Sequence, residues 1–386
     1  MKRYPVHVCL VSAQASANLI PCCDPEMAPE EVVLLVGPGM ELRAEALAEV
    51  LGARGIKVCS RRLSEAWEPE KIRADLAGFA AEIDPERMVL NATGGTKPMS
   101  DVLRDMFREA NAPVFYQIPN QNRAVWLSGH EGGFPLRADL KVEELVTAHG
   151  FRVLGCDRSL PGHSELTTAL KVAQKASKYM HFTPTLNYLT AEAIEREVLQ
   201  TGPVGDYYLG QSRFMELVDL FVRGGFVSWQ EDRLRFRDDK ARAYVCGGWL
   251  EVLVYGALRH LADKGHIQLN DCVLDLNVET RAHHRPNQVD VAVVADNRLW
   301  LIECKTRRYN RGDGPQAAAE KVSMDLYKMD HLRDLGGLGA RSLLVSLQSL
   351  GDAALQRARD LRIDVLSGAD LEDIGARLLE WMGGQK

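Results

Sequence analysis

The chain has 386 residues, of which 46% are hydrophobic and 26% charged. That composition excludes wholesale disorder, and the length suits two or three domains. Lys plus Arg number 47 against 53 Asp plus Glu, a net charge of −6. This is too acidic for a protein that coats polyanions but compatible with a local basic groove. The 8 cysteines form no C-x-x-C pair and several sit in apolar runs, as in Val8-Cys9-Leu10. They read as small hydrophobes in a reducing cytoplasm rather than zinc ligands or disulfides. No run approaches the ~18 apolar residues of a membrane span, and the start is too short in apolar residues for a secretory signal.

The first 150 residues alternate strand and helix. Val6 to Ser12 is an apolar run, as is Val32 to Val36, which ends at the turn Gly37-Pro38-Gly39. Leu42, Ala46, Leu47 and Val50 recur at helical spacing. A strand restarts at Gly55 to Cys59, and Pro69 to Ile83 reads as one helix. Met88 to Ala92 is the next strand and Pro98 to Ala110 the next helix. Val114 to Ile118 and Ala124 to Leu127 close the series. This βαβα order predicts a mostly parallel, Rossmann-like sheet covered by helices. Residues 151–240 form a connector: a linker-like stretch through Pro161-Gly162, a helix at Phe214 to Val222, then a hairpin at Phe226 to Phe236. Helix and hairpin suit either a small winged-helix-like module or a plain connector. From 241 to 386 the chain reads as a further α/β domain. It has a helix from Ala241 to about Lys264, strands at Cys272 to Val278, Val289 to Ala295 and Leu299 to Thr306, a helix at Asp325 to Leu335, and a strand at Arg341 to Val345.

Two motifs carry chemistry. The first lies in this last domain. Asp296-Asn297 is a favourable two-residue hairpin turn. It pairs Ala295 with Arg298 and puts Asp290 opposite Glu303, with Lys305 on the same face. Two carboxylates can hold a hard cation, Mg²⁺ or Mn²⁺, and the lysine can orient a water or stabilise a phosphorane-like transition state. A surface hairpin with cross-strand ion pairs would use the same residue types, but here the carboxylates end strongly apolar runs, where an unpaired charge is costly. Arg307, Arg308, Tyr309 and Arg311 follow as a basic strip suited to nucleic acid. Lys328 is either within reach of the site or on a solvated helix face. His283 and His284 are either substrate contacts or surface histidines.

The second motif is Asn91-Ala92-Thr93-Gly94-Gly95-Thr96-Lys97-Pro98, directly after a strand. Its glycines allow close backbone approach, and a helix start next to Thr96 and Lys97 favours an anion. It lacks the Walker A pattern.

The segment Asp290 to Lys305 resembles the PD-(D/E)xK restriction-endonuclease-like core. That family binds metal through an acidic residue and the acid of E-x-K. The resemblance assigns catalysis to Asp290, Glu303 and Lys305, metal ligation to Asp290, Glu303 and the Cys304 backbone carbonyl, and a helix carboxylate to Glu251 in Gly247-Gly248-Trp249-Leu250-Glu251. The N-terminal domain resembles the CARF domain, a sensor of cyclic oligoadenylates in type III CRISPR systems. On that likeness Ser12, Gln14, Asn18, Asn91, Thr93, Gly94, Gly95, Thr96 and Lys97 line a ligand pocket. Together the modules resemble the CRISPR ancillary nucleases. The resemblance implies a cytoplasmic homodimer, with cyclic tetra-adenylate as activator and Mn²⁺ or Mg²⁺ as cofactor. It further implies cutting of single-stranded DNA or RNA, or nicking of duplex DNA, when that activator binds. Two other readings stand beside it: a CARF-type transcription regulator with an inert nuclease-like domain, and a ligand-independent repair or mobile-element nuclease.

Overall fold

The computed structural model describes residues 2–281, 284, 286–307 and 314–383, with backbone alone over 314–319. The strands of the first sheet are β1 (Val6–Leu10), β2 (Glu31–Val36), β3 (Lys57–Arg62), β4 (Met88–Asn91), β5 (Val114–Gln117), β6 (Arg123–Ser128) and β7 (Gly133–Pro135). They lie in the order β3-β2-β1-β4-β5-β6-β7, and the first five are mutually parallel. β5, β6 and β7 pair antiparallel. The parallel strands are apolar because helices cover both faces. β3 is the exception: it is an edge strand and mostly exposed, which is why its sequence, Lys57 to Arg62, is polar. The expected single helix from Pro69 to Ile83 is instead two short ones, Pro69–Asp75 and Ala77–Ala80.

The second sheet has β8 (Phe151–Asp157), β11 (Leu269–Thr280), β12 (Pro286–Ala295), β13 (Arg298–Lys305), β14 (Arg341–Ser346) and β15 (Ile363–Ser367), in the order β15-β14-β13-β12-β11-β8. Between β8 and β11 the chain is mainly helical, with one small hairpin of β9 (Val227–Gln230) and β10 (Arg233–Phe236) following the helix Ser212–Arg223. The stretch Phe151–Asp157, expected as the start of the connector, is instead the edge strand of the second sheet. The helices of this middle segment share a core with the last domain, through Phe214, Leu217 and Phe221 with Trp249 and Leu250.

The two sheets sandwich the helices Glu41–Ala53 and Val142–Ala148. Leu47, Val50, Leu145 and Val146 share one buried cluster with Leu34 and Val36 of the first sheet and with Ala292, Val294, Leu299 and Leu301 of the second. The opposite face of β12 and β13, through Val291, Val293, Trp300 and Ile302, packs on the helix Trp249–Asp263. All eight cysteines are free thiols. No helix among the described residues is long and apolar enough to cross a membrane.

Candidate functional site

The β12–β13 hairpin turns where its sequence requires. Asp296 and Asn297 have φ of 53° and 57°, the left-handed pair of a type I′ turn. The ladder runs from Ala295 opposite Arg298 to Val291 opposite Ile302, which brings Asp290 across from Glu303. Alternation puts Asp290, Glu303 and Lys305 on the face that also carries Ala292, Val294, Leu299 and Leu301.

Both carboxylates are buried, Asp290 at 8% and Glu303 at 4% exposure. Asp290 Oδ2 accepts from the Cys304 amide at 2.7 Å and lies 3.4 Å from Lys305 Nζ. Glu303 Oε1 accepts from Lys305 Nζ at 2.6 Å and from Lys328 Nζ at 3.3 Å. Lys328, on the helix Gly314–Leu332, therefore reaches the site. Burial raises the pKa of Glu303, and the charge of Asp290 adds to it. Burial opposes the charge of Lys305, but Glu303 and Asp290 beside it hold the ammonium above its usual range.

Glu251 enters from the other side of the sheet, in the first turn of Trp249–Asp263. Burial, then the charges of Asp290 and Asp275, push its pKa up to about 8. The turn before it is a π segment, Tyr244–Gly248, with Gly247 at φ 149°. A Cβ at Gly247 would lie 2.7 Å from Thr306 Oγ1, so only glycine lets this helix start close to the end of β13. Glu251, Cys304 and Lys305 open on a cleft of about 520 Å³. Its far wall is the helix Thr183–Glu195, contributing Asn187 and Tyr188. The Asn187 amide meets Thr306 Oγ1 at 2.8 Å. Sequence reasoning missed that wall, which joins residues 119 positions apart with no local motif. Arg307 lines the same cleft and pairs with Asp325 at 2.6 Å. His284 is exposed and lies 3.2 Å from Glu279. His283, Arg308, Tyr309 and Arg311 lie outside the described residues.

Among the described residues, no three His, Cys, Asp or Glu side chains form a ready metal cluster. A two-carboxylate site nevertheless fits Mg²⁺ or Mn²⁺, which commonly take one or two protein carboxylates and complete their shell with water and substrate phosphate. The mutual repulsion of Glu251, Asp290 and Glu303 is the kind a divalent cation relieves.

The Gly-rich loop borders a second cavity, of about 470 Å³, at the carboxyl ends of β1, β4 and β5. In an open α/β sheet this is where ligands bind. Ser12, Gln14, Thr93 and Gly95 line it. Gly94 packs on β1 so tightly that a Cβ would fall 2.1 Å from the Leu10 carbonyl oxygen.

Asn18 and Asn91 do not face the cavity. Ser16–Cys22 is a helix, and Asn18 is buried, donating to the Leu10 carbonyl at 2.8 Å. Asn91 donates to Asn18 Oδ1 at 3.0 Å and accepts from Thr93 Oγ1 at 2.6 Å. This pair buttresses the loop from behind. Thr96 caps the helix Lys97–Glu109, accepting from the Met99 amide. Lys97 is 78% exposed, pairs with Asp101 at 3.2 Å, and is not among the described residues lining the cavity. The cavity's remaining wall was not foreseen: Asp296 to Leu299, with Gly336, Leu338 and Gly339, come from the last domain.

Residues 6–145 match the family described as the Card1 CARF domain, and residues 238–384 the Card1-like endonuclease domain. Among solved structures, the chain is similar to protein VC1899 from Vibrio cholerae, at 24% identity and TM-score 0.88, covering 98% of both chains. It is similar to Can2 from Sulfobacillus thermosulfidooxidans, solved with cyclic tetra-adenylate, at 22% identity and TM-score 0.78, covering 98% of this chain and 99% of that one. A third likeness, at 20% identity and TM-score 0.54, is to a type III CRISPR defence DNA nuclease activated by cyclic oligoadenylate; it covers 97% of this chain and 52% of that one. No curated protein matches the sequence.

Proposed function

The chain belongs to the Card1-like proteins that join a CARF domain to an endonuclease domain, and from that premise we propose that it is a metal-dependent nuclease of type III CRISPR defence, switched on by cyclic tetra-adenylate. Residues 1–150 sense the ligand, 151–240 connect, and 241–386 cut. The observation that carries this reading is the buried Asp290–Glu303–Lys305 cluster, at the end of the same hairpin whose turn lines the sensor's cavity.

Asp290, Glu303 and the Cys304 carbonyl would hold Mn²⁺ or Mg²⁺. The metal would make a bound water easier to deprotonate and would place positive charge at the scissile phosphate. Lys305, held charged by its two carboxylates, would stabilise charge developing on the phosphoryl oxygens. Glu251 would hold a proton near neutral pH or, with the cation bound, complete the acidic pocket. The cleft between Lys305 and the Thr183–Glu195 helix leaves room for a single strand, with Tyr188 as a stacking face. We place the enzyme in the cytoplasm as a homodimer.

The test is cleavage of labelled single- and double-stranded DNA and RNA in Mn²⁺, with and without cyclic tetra-adenylate. Ligand-stimulated cutting is expected. Cutting without ligand would favour a repair or mobile-element nuclease, and shifted but uncut DNA a transcription regulator.

A further inference from the structure

The segment Arg333–Gly339 leads from the helix Gly314–Leu332 to β14 and borders the sensor's cavity. It is rich in glycine, and its surroundings require that. Gly337 has φ 64°, and a Cβ there would lie 2.5 Å from Gln14 Oε1 and 2.8 Å from His149 Nε2. Only glycine combines that left-handed backbone with so close an approach to the sensor. One residue on, the Leu338 amide donates to Gln14 Oε1 at 2.8 Å. Leu335, in the same segment, is fully buried in the core that the sensor shares with the second sheet. The segment is thus fastened to the first domain at two points.

The helix that leads into it ends at the metal site. Lys328 Nζ lies 3.3 Å from Glu303 Oε1, and Lys305 Nζ donates to the same oxygen at 2.6 Å. Two ammoniums therefore stand against two carboxylates, Asp290 and Glu303, and occupy both lone pairs of Oε1. A divalent cation at those carboxylates competes with Lys328 for the same negative charge. Lys328 is only about 6 Å of helix before Leu332, where the fastened segment begins. Its contact with Glu303 is already at the long end for a hydrogen bond, and a helix shift of about 1 Å breaks it.

We infer that Arg333–Gly339 is a strap through which the sensor controls the metal site: bonded to Gln14, it holds Lys328 on Glu303, and a ligand that takes Gln14 from the Leu338 amide lets Lys328 leave the carboxylate that the cation needs. This rests on the oligoadenylate reading above and adds to it the route of regulation. The Leu338 N–H offers Gln14 Oε1 the same kind of donor that the amine of adenine offers, so ligand and strap compete for one acceptor. Such coupling is reciprocal: ligand tightens metal binding by the factor by which metal tightens ligand binding.

The test uses the full-length protein, with Mn²⁺ binding and cyclic tetra-adenylate binding each measured by calorimetry in the presence and absence of the other. In the wild type each should tighten the other about 10-fold, within the usual range for coupled sites. Lys328→Met keeps the apolar stem and removes the charge. Without ligand it should bind Mn²⁺ about 10-fold tighter than the wild type, and the mutual effect should shrink by the same factor. Tighter metal binding is a gain that misfolding cannot mimic. Gly337→Ala acts from the other end, since its Cβ pushes the strap off Gln14 and His149. It too should tighten Mn²⁺ binding without ligand, and both variants should cut nucleic acid without ligand more than the wild type does. If the wild type binds ligand with no effect of Mn²⁺, if Lys328→Met weakens Mn²⁺ binding, or if both variants bind Mn²⁺ within twofold of the wild type, the strap is overturned while the sensor reading stands. If the wild type does not bind cyclic tetra-adenylate, the sensor reading itself fails.

Discussion

Glu303 is the residue on which most of the chemistry converges, since its Oε1 accepts from both Lys305 and Lys328. Glu303→Gln keeps the shape and removes the charge that would hold a cation. Cleavage should fall by about 10²–10³, the usual cost of removing one charge-stabilising group, with ligand binding by calorimetry retained. Lys305→Ala should do the same. Excess chelator should stop the wild type, and Mn²⁺ restore it. Glu251 gives a separate signature in thermal unfolding. Its folded pKa of about 8 lies above the ordinary carboxylate value because of burial and then Asp290. A raised carboxylate pKa favours the folded state below the unfolded pKa, near 4.5, and that contribution is lost as pH rises through about 8. In chelator, Glu251→Gln should therefore melt higher than the wild type at pH 9, and the difference should narrow towards pH 5.

At the scale of elements, the β12–β13 hairpin joins two places, with acidic groups at one end and a turn that lines the 470 Å³ cavity at the other. Asn297 serves both, through its positive φ and its buried hydrogen bonds. Asn297→Ala should destabilise the protein by about 2–4 kcal/mol, combining unpaired buried partners with left-handed strain. Asn297→Gly keeps the turn geometry and should cost less; urea unfolding measures both. The hairpin itself is legible in sequence, because Asp-Asn between two apolar runs fixes its register and so which side chains share a face. The helix that walls the cleft beside Glu251 and Lys305 is not, since the meeting of Asn187 with Thr306 depends on how the connector folds back over the last domain.

For the whole molecule, the shared core between the two sheets makes sensor and nuclease mechanically continuous. The face of β12 and β13 that bears Asp290 and Glu303 is the face that packs on the sensor's helices. A single cavity of about 470 Å³ is within the range of pockets for drug-sized ligands, and a ring of four nucleotides is larger than those. Two copies facing each other across a two-fold axis would present two such walls. Calorimetry should give one ring per two chains. One ring per chain, or a protein that stays monomeric when saturated with ligand, would contradict the paired arrangement.

The amino-acid sequence by itself determined what depends on neighbours along the chain. That includes the βαβ order of the first domain, the Gly-rich loop after β4, the I′ turn at Asp296-Asn297, and the common face of Asp290, Glu303 and Lys305. Strand and turn periodicities are local, so spacing alone reveals them. Only the tertiary structure decided that Phe151–Asp157 completes the second sheet, that Asn18 and Asn91 support the loop from behind, that Lys97 sits on an exposed helix turn, and that Leu338 borders the sensor's cavity. These depend on which distant surfaces bury against each other. Such burial is driven by apolar area summed over whole elements rather than by any single motif.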